Sequence, residues 1–254
     1  MPSVYTHYLV ARETLKSLSS PLQERLRPHL STYFFGSQGA DFCFFYKFTR
    51  PKKQNLGSYL HRNGGYDSFC VLREFSPQED GILAYALGYI THYATDTLFH
   101  PHIYAASGKS LLLHSRIEGA LDALFAQIYP LKNDGYSVYF RPKLSEEELQ
   151  SLFLLYCAFN LKTNFPPLNK NSFLRAIRLF NAYLPISFSI FGERKPQLIA
   201  KTFGKKEPQK QALALFQNAV DRAKAYIEEF LSAIDSFTPL SRETFAKNYL
   251  TGEL

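Results

Sequence analysis

Apolar residues recur at helical spacing along most of the chain, and strand-like alternation is scarce. The clearest case runs from about Pro208 to Ile234, where Leu213, Phe216, Val220, Ala223, Ile227 and Leu231 share one face. Ser76-Pro77-Gln78-Glu79 reads as a helix start: serine caps, proline suits the first turn, and the glutamate three residues on completes a capping box. The helix after it carries GILAYALGYITHYATDTLF and is expected to end near His100-Pro101, because a residue before proline resists α geometry. A second long helix is expected over about Lys109–Tyr129, stopping before Pro130. Ser145 and Glu148 repeat the capping box and open a helix through Leu161, and another spans about Ser172 to Phe191. Residues 3–18 and 21–31 suggest two shorter helices. Tyr136–Arg141 is the one short β-like run, read as a loop or hairpin arm. Phe34–Gly57 and His61–Glu74 read as functional loops, Asn164–Lys170 and Gly192–Gln209 as connections between helices. The expectation is an all-α, multi-helix bundle forming a single domain over residues 1–254.

Composition adds limits. A chain of 254 residues has ample length to bury a core. With 23 Phe, 17 Tyr and no Trp, that core should be rich in aromatic rings. The net charge of +7 permits an anionic partner, such as a phosphate ester or lipid surface, without demanding one. Cys43, Cys70 and Cys157 form no C-x-x-C pair and are odd in number, which argues against a disulfide framework and against a thiolate zinc site. The N-terminus is polar and meets charge at Arg12, so it does not read as a signal peptide, and no run of eighteen apolar residues occurs. The expectation is a cytoplasmic chain.

The chemistry concentrates in one stretch. His92, Asp96 and His100 lie four residues apart, and each step of four turns a helix by about 400°, so the three share one face. His114 and Glu118 repeat the device on the next helix. Two facing helices then point three imidazoles and two carboxylates into one space, a borderline-hard donor set that suits Zn²⁺. A single histidine in an apolar helix is more often a core residue than a ligand. The set differs because Asp96 and Glu118 sit on apolar helices, and a carboxylate buried without a counter-charge is very costly.

The stretch GYITHYATDTLFHPHI followed by HSRIEGALD resembles the zinc-dependent phospholipase C family. The family pattern, His-x3-Asp and a following His, then His-x3-Glu, is preceded by an N-terminal His, an Asp and another His. All are here in order: His7 in YTHYLVA, Asp41 in GSQGADF, His61 in GSYLH, then His92, Asp96, His100, His114 and Glu118. The match covers roughly the first 120 residues. It implies an all-helical fold and a distribution of roles. Asp41, His61, His92 and Asp96 would hold one zinc, and His100, His114 and Glu118 a second. His7 and a bridging Asp96 would hold a third, and Asp41 would also be the general base. A zinc-activated water would then attack a phosphodiester. In secreted members the third zinc also uses the free amino group of the mature N-terminus. Here that role would fall to Pro2 after loss of Met1, so two zincs are expected on the ligands named and the third depends on Pro2.

Phe42 and Phe45 beside Asp41 are candidates to line a headgroup or acyl pocket, with core packing the equal alternative. Arg50-Pro51-Lys52-Lys53 is a basic loop. His102 reads as a surface or supporting histidine, and His29 as a surface one. The expected partner is a phospholipid or soluble phosphodiester, with transient contact to a membrane surface. Nucleic acid is not expected, because the related single-strand nucleases begin with a Trp that this chain lacks. The alternatives are such a nuclease, or a non-catalytic intracellular metal-binding protein.

Overall fold

The computed structural model describes residues 4–46, 55–62, 65–131, 137–163, 165–191 and 195–254. The helices are α1 (Val4–Ser17), α2 (Ser20–Leu26), α3 (Leu30–Gly36), α4 (Leu56–Arg62), α5 (Gly65–Phe75), α6 (Asp80–Ser107), α7 (Leu111–Ile128), α8 (Glu146–Thr163), α9 (Lys170–Phe191), α10 (Pro196–Phe203), α11 (Pro208–Asp235) and α12 (Arg242–Phe245). Short 3₁₀ turns cover Asp41–Phe45, Ser76–Gln78 and Ser137–Phe140. No strand occurs among the described residues, so the fold is all-α. None of these helices is long and apolar enough to cross a membrane.

α6 is the axis. It is buried on nearly every side from Gly81 to Thr97, as expected of a helix that is apolar all round. α3, α11 and α1 pack against it, and α7 returns antiparallel along it. The α3 crossing is close because two glycines meet there. A Cβ at Gly88 would lie 2.0 Å from the Tyr33 carbonyl oxygen, and one at Gly36 would lie 2.3 Å from that of Tyr85. Gly36 is therefore a packing glycine of α3, not the turn residue that its position in a loop would suggest. Gly88→Ala forces backbone against backbone and should cost about 3 kcal/mol. In a chain of this length that lowers the melting temperature by roughly 6–12 °C, and calorimetry showing a change under about 2 °C would contradict the packing described.

Several expectations change. α6 does not end at His100 but passes through Pro101 to Ser107. Proline removes one N–H and crowds the carbonyl four residues back, that of Thr97. Burial of Phe99 and Ile103 on either side of the proline outweighs that local cost. The Ser76 hydroxyl donates back to the Leu72 carbonyl and closes α5, so it caps nothing, and α6 begins at Asp80. The second box holds: Glu148 N–H donates to Ser145 Oγ, and Ser145 N–H to a Glu148 carboxylate oxygen. Residues His61–Glu74 are mostly helix, since Phe69 and Leu72 give α5 a buried face. The β-like Tyr136–Arg141 run contains a 3₁₀ turn, with Tyr136 outside the described residues. The inter-helix stretch Gly192–Gln209 holds α10, and the basic Arg50–Lys53 loop lies outside the described residues.

Beyond α12 the chain folds back on α6. Asn248 N–H donates to the Glu253 carbonyl and Gly252 N–H to that of Asn248. Tyr93 of α6 pins this segment, its hydroxyl donating to the Thr244 carbonyl and accepting from Lys247 N–H.

Candidate metal centre

All eight residues expected as ligands converge in the core, drawn from five elements. His7 comes from α1, Asp41 from the 3₁₀ turn, His61 from the end of α4, His92, Asp96 and His100 from α6, and His114 and Glu118 from α7. Each is buried, none more than 8 % exposed. Asp96 lies at the middle. Its Oδ1 is 3.2 Å from His7 Nε2, and its Oδ2 is 3.2 Å from His92 Nε2, 3.6 Å from His100 Nδ1 and 3.8 Å from His61 Nε2. Asp41 Oδ1 is 3.1 Å from His61 Nε2. Glu118 Oε1 is 3.0 Å from His114 Nε2 and 3.5 Å from His100 Nε2.

Three groupings have ligand atoms within 4.8 Å of one another: His61–His92–Asp96, His100–His114–Glu118, and His7–Asp41–His92. The first two follow the division that the sequence resemblance implies. The third draws His7 toward Asp41 and His92, with the His7 and His92 rings 4.4 Å apart, as well as toward Asp96.

Each donor is aimed by its own scaffold. Asp122, one turn past Glu118 on α7, accepts from the amides of Tyr5 and Thr6 and from the Thr6 hydroxyl. It thereby caps the first turn of α1 and fixes His7 on the next residue. His61 Nδ1 bonds the Gly57 carbonyl at 2.7 Å, and His100 Nδ1 bonds the Tyr249 carbonyl at 3.0 Å. Both bonds take the Nδ1 proton and leave Nε2 facing the carboxylates, the usual outer support of a metal-binding imidazole. Gly39 supplies the sharp turn before Asp41: its φ is +55°, and a Cβ there would fall 2.2 Å from the His92 ring.

The residues fit a metal ion. His92 is fully buried, and neither of its ring nitrogens makes a hydrogen bond, although one lies 3.2 Å from Asp96. His7 Nδ1, His114 Nδ1 and Asp41 Oδ2 are likewise buried without hydrogen-bond partners. His92 Nδ1 and Asp41 Oδ2 face each other at 4.0 Å with no proton shared between them, a pair of lone-pair donors that a cation would satisfy. Charge agrees. Burial would raise the Asp96 carboxyl, but His100, His92 and His7 around it hold it well below the usual carboxylate range. Burial would also raise Glu118, yet surrounding positive charge and bonds from His100 and His114 bring it below its ordinary value. Burial lowers His92, whereas His100, also penalised by burial, is lifted by Asp96 and Glu118 to about 9.

Comparison with known proteins decides between kinds of metal protein. The family model described as zinc dependent phospholipase C matches residues 6–166. The chain belongs to the zinc-dependent phospholipase C family. No curated protein and no solved structure matches it. The matched stretch holds all eight of these converging residues, but stops before the C-terminal segment that supports His100.

Phe42 and Phe45 do not line the site. Phe42 is buried against Phe35, Tyr156 and Phe173, and Phe45 packs on Phe180 and Tyr183. A 3₁₀ turn eclipses residues three apart, so Asp41 and Phe44 share one edge, and it is Phe44 that reaches the His61 ring at 5.1 Å. His102 is exposed, its ring 5.6 Å from that of Phe203. Tyr249 and Asp122 support the site from outside the eight expected positions. Asp122 continues the four-residue spacing of His114 and Glu118, a signal present in the sequence. Tyr249 gives no local signal, being joined to His100 only by the fold.

Zinc binds neutral imidazole, so if His100 is a ligand, loading must drive off the proton that it holds below about pH 9. At pH 7 calorimetry in buffers of different ionisation heat should show at least one proton released per chain, and above pH 9 the His100 contribution should vanish. No release at pH 7 would contradict the assignment of His100 as a ligand.

Proposed function

We propose that this chain is a zinc-dependent phosphodiesterase that hydrolyses a phospholipid or a related phosphodiester. The observation that carries it is the fully buried His92, with both ring nitrogens out of hydrogen bonds among Asp41, Asp96, His7 and His61. We assign one zinc to Asp41, His61, His92 and Asp96, a second to His100, His114 and Glu118, and a third to His7 with Asp96. When bound, zinc lowers the pKa of a water toward neutrality and neutralises charge on a phosphoryl group.

The protein's own part is proton handling and alignment. Asp41 is the general base: Oδ1 lies 3.1 Å from His61 Nε2, while Oδ2 makes no hydrogen bond and faces His92 Nδ1 at 4.0 Å. Asp96 lies within 3.8 Å of four imidazoles, so one carboxylate sits at the centre of the cluster and aligns it. Hydrolysis on the glycerol side would yield a diacylglycerol-type alcohol and a phosphorylated headgroup. Leu111 and Leu112, exposed at the start of α7 one turn from His114 and beside Lys109, supply an apolar, basic contact for a membrane surface. The common packing of α1, α3, α7 and α11 on α6 supports one domain throughout.

The test is incubation of the zinc-loaded chain with phosphatidylcholine vesicles and with single-stranded DNA. Diacylglycerol and phosphocholine should appear. Phosphatidic acid as product, or digestion of the DNA alone, would overturn the assignment.

A further inference from the structure

The cleft among His7, Asp96, His100 and Glu118 holds only about 10 Å³, room for an ion or one water and not for a phosphodiester. The larger space nearby is a cavity of about 360 Å³ whose wall includes His61 and Tyr249, within the usual range for small-ligand sites. Its lining is basic. Arg62 follows His61 at the end of α4, and Arg242 and Lys247 come from α12 and the segment after it, against the carboxylate of Asp67 and with Leu254 also in the wall. Arg242 is held over the Tyr66 ring, 4.3 Å from its centroid, and Tyr66 is itself anchored by its hydroxyl to the Leu240 carbonyl. Among the described residues no ion pair joins Arg62, Arg242 or Lys247 to a carboxylate, and the three converge on one concave space. Unpaired cations around a concave space beside a reactive centre focus anions into it.

We propose that this cavity is a subsite for a second anionic group, a phosphate monoester or carboxylate on the headgroup next to the scissile phosphodiester. The inference rests on the phosphodiesterase reading for the meaning of that neighbour, but not for the binding itself. Arg242 and Lys247 lie beyond the family match at residue 166, so this preference belongs to the chain's own C-terminal segment. Tyr249 makes the link to the centre. Its backbone carbonyl bonds His100, its ring lies 5.2 Å from that of His61, and it lines the cavity. A guanidinium suits a planar, bidentate oxyanion, and the Lys247 ammonium adds a point charge.

The experiment compares kcat/KM for short-chain phosphatidylinositol 4-phosphate and short-chain phosphatidylcholine, in the zinc-loaded wild type and in Arg242→Gln/Lys247→Gln. The wild type should prefer the anionic substrate, and the double variant should lose roughly 10–100-fold of that preference, as expected for two charge-assisted contacts. No wild-type preference, or a preference that the variant keeps, overturns the subsite. A wild type that cleaves neither substrate overturns the hydrolase reading instead. The subsite is then judged by calorimetry with inositol 1,4-bisphosphate and with inorganic phosphate. Tighter binding of the bisphosphate that weakens at least about tenfold in the variant supports the subsite, and equal binding by both proteins overturns it. Equal affinity for bisphosphate and phosphate in the wild type identifies a site for free phosphate and overturns the headgroup assignment.

Discussion

Asp96→Asn is expected to cut hydrolysis by about three orders of magnitude while leaving the chain folded. Among the described residues no other carboxylate lies near so many of the expected donors: that of Asp96 is within 3.8 Å of His7, His61, His92 and His100. Asparagine keeps the shape but removes the charge, and turns one oxygen into an NH₂ group facing imidazole nitrogens. Changes to outer-shell partners alone cost a metal site about 10–100-fold in affinity, so loss of a shared ligand should cost more. A fall in kcat/KM of about 10³-fold, about 4 kcal/mol of barrier, is the expected size. Elemental analysis and the vesicle assay check it together. A variant that keeps its zinc and more than about a tenth of its activity would remove Asp96 from the bridging role.

Stripping the zinc should produce the second large effect, on stability. Two ions each present at about a thousand times their dissociation constant stabilise the folded chain by roughly 8 kcal/mol in total. For a chain of this length that corresponds to a fall in melting temperature of roughly 15–30 °C on chelation. The stripped chain should still unfold cooperatively. His7, His61 and His100 are all raised against their burial by Asp96, Asp41 and Glu118, so they protonate and stand in for the lost cations. The sign follows from those shifts. For His100 the stabilisation is fully present below about pH 6.5 and is lost as pH rises through about 9, so the stripped chain should be weakest in alkali. Scanning calorimetry with and without chelator checks both points. A melting temperature unmoved by chelation would mean that no ion is bound in the core.

The candidate metal centre was legible in the sequence because helices turn spacing into position. His92, Asp96 and His100 meet their partners by periodicity alone, as do His114 and Glu118. His7, Asp41 and His61 carry no such signal and were reached through the family pattern. The continuation of α6 through Pro101 was not legible, because local stereochemistry argues for a stop and only the burial of Phe99 and Ile103 overrules it. Phe42 and Phe45 were open to two readings, since adjacency to Asp41 does not reveal a 3₁₀ turn that aims Phe44 at the site. The C-terminal segment was silent. Tyr249 lies 149 residues from His100, and a backbone carbonyl as partner leaves no trace in residue type.

The most direct measurement is hydrolysis of a chromogenic phosphocholine ester by the chelator-stripped chain as zinc is returned to it. Activity should rise from none and level off at two or three zincs per chain. Hydrolysis that survives stripping, or zinc taken up with no hydrolysis at any ratio, would contradict a zinc-dependent phosphodiesterase.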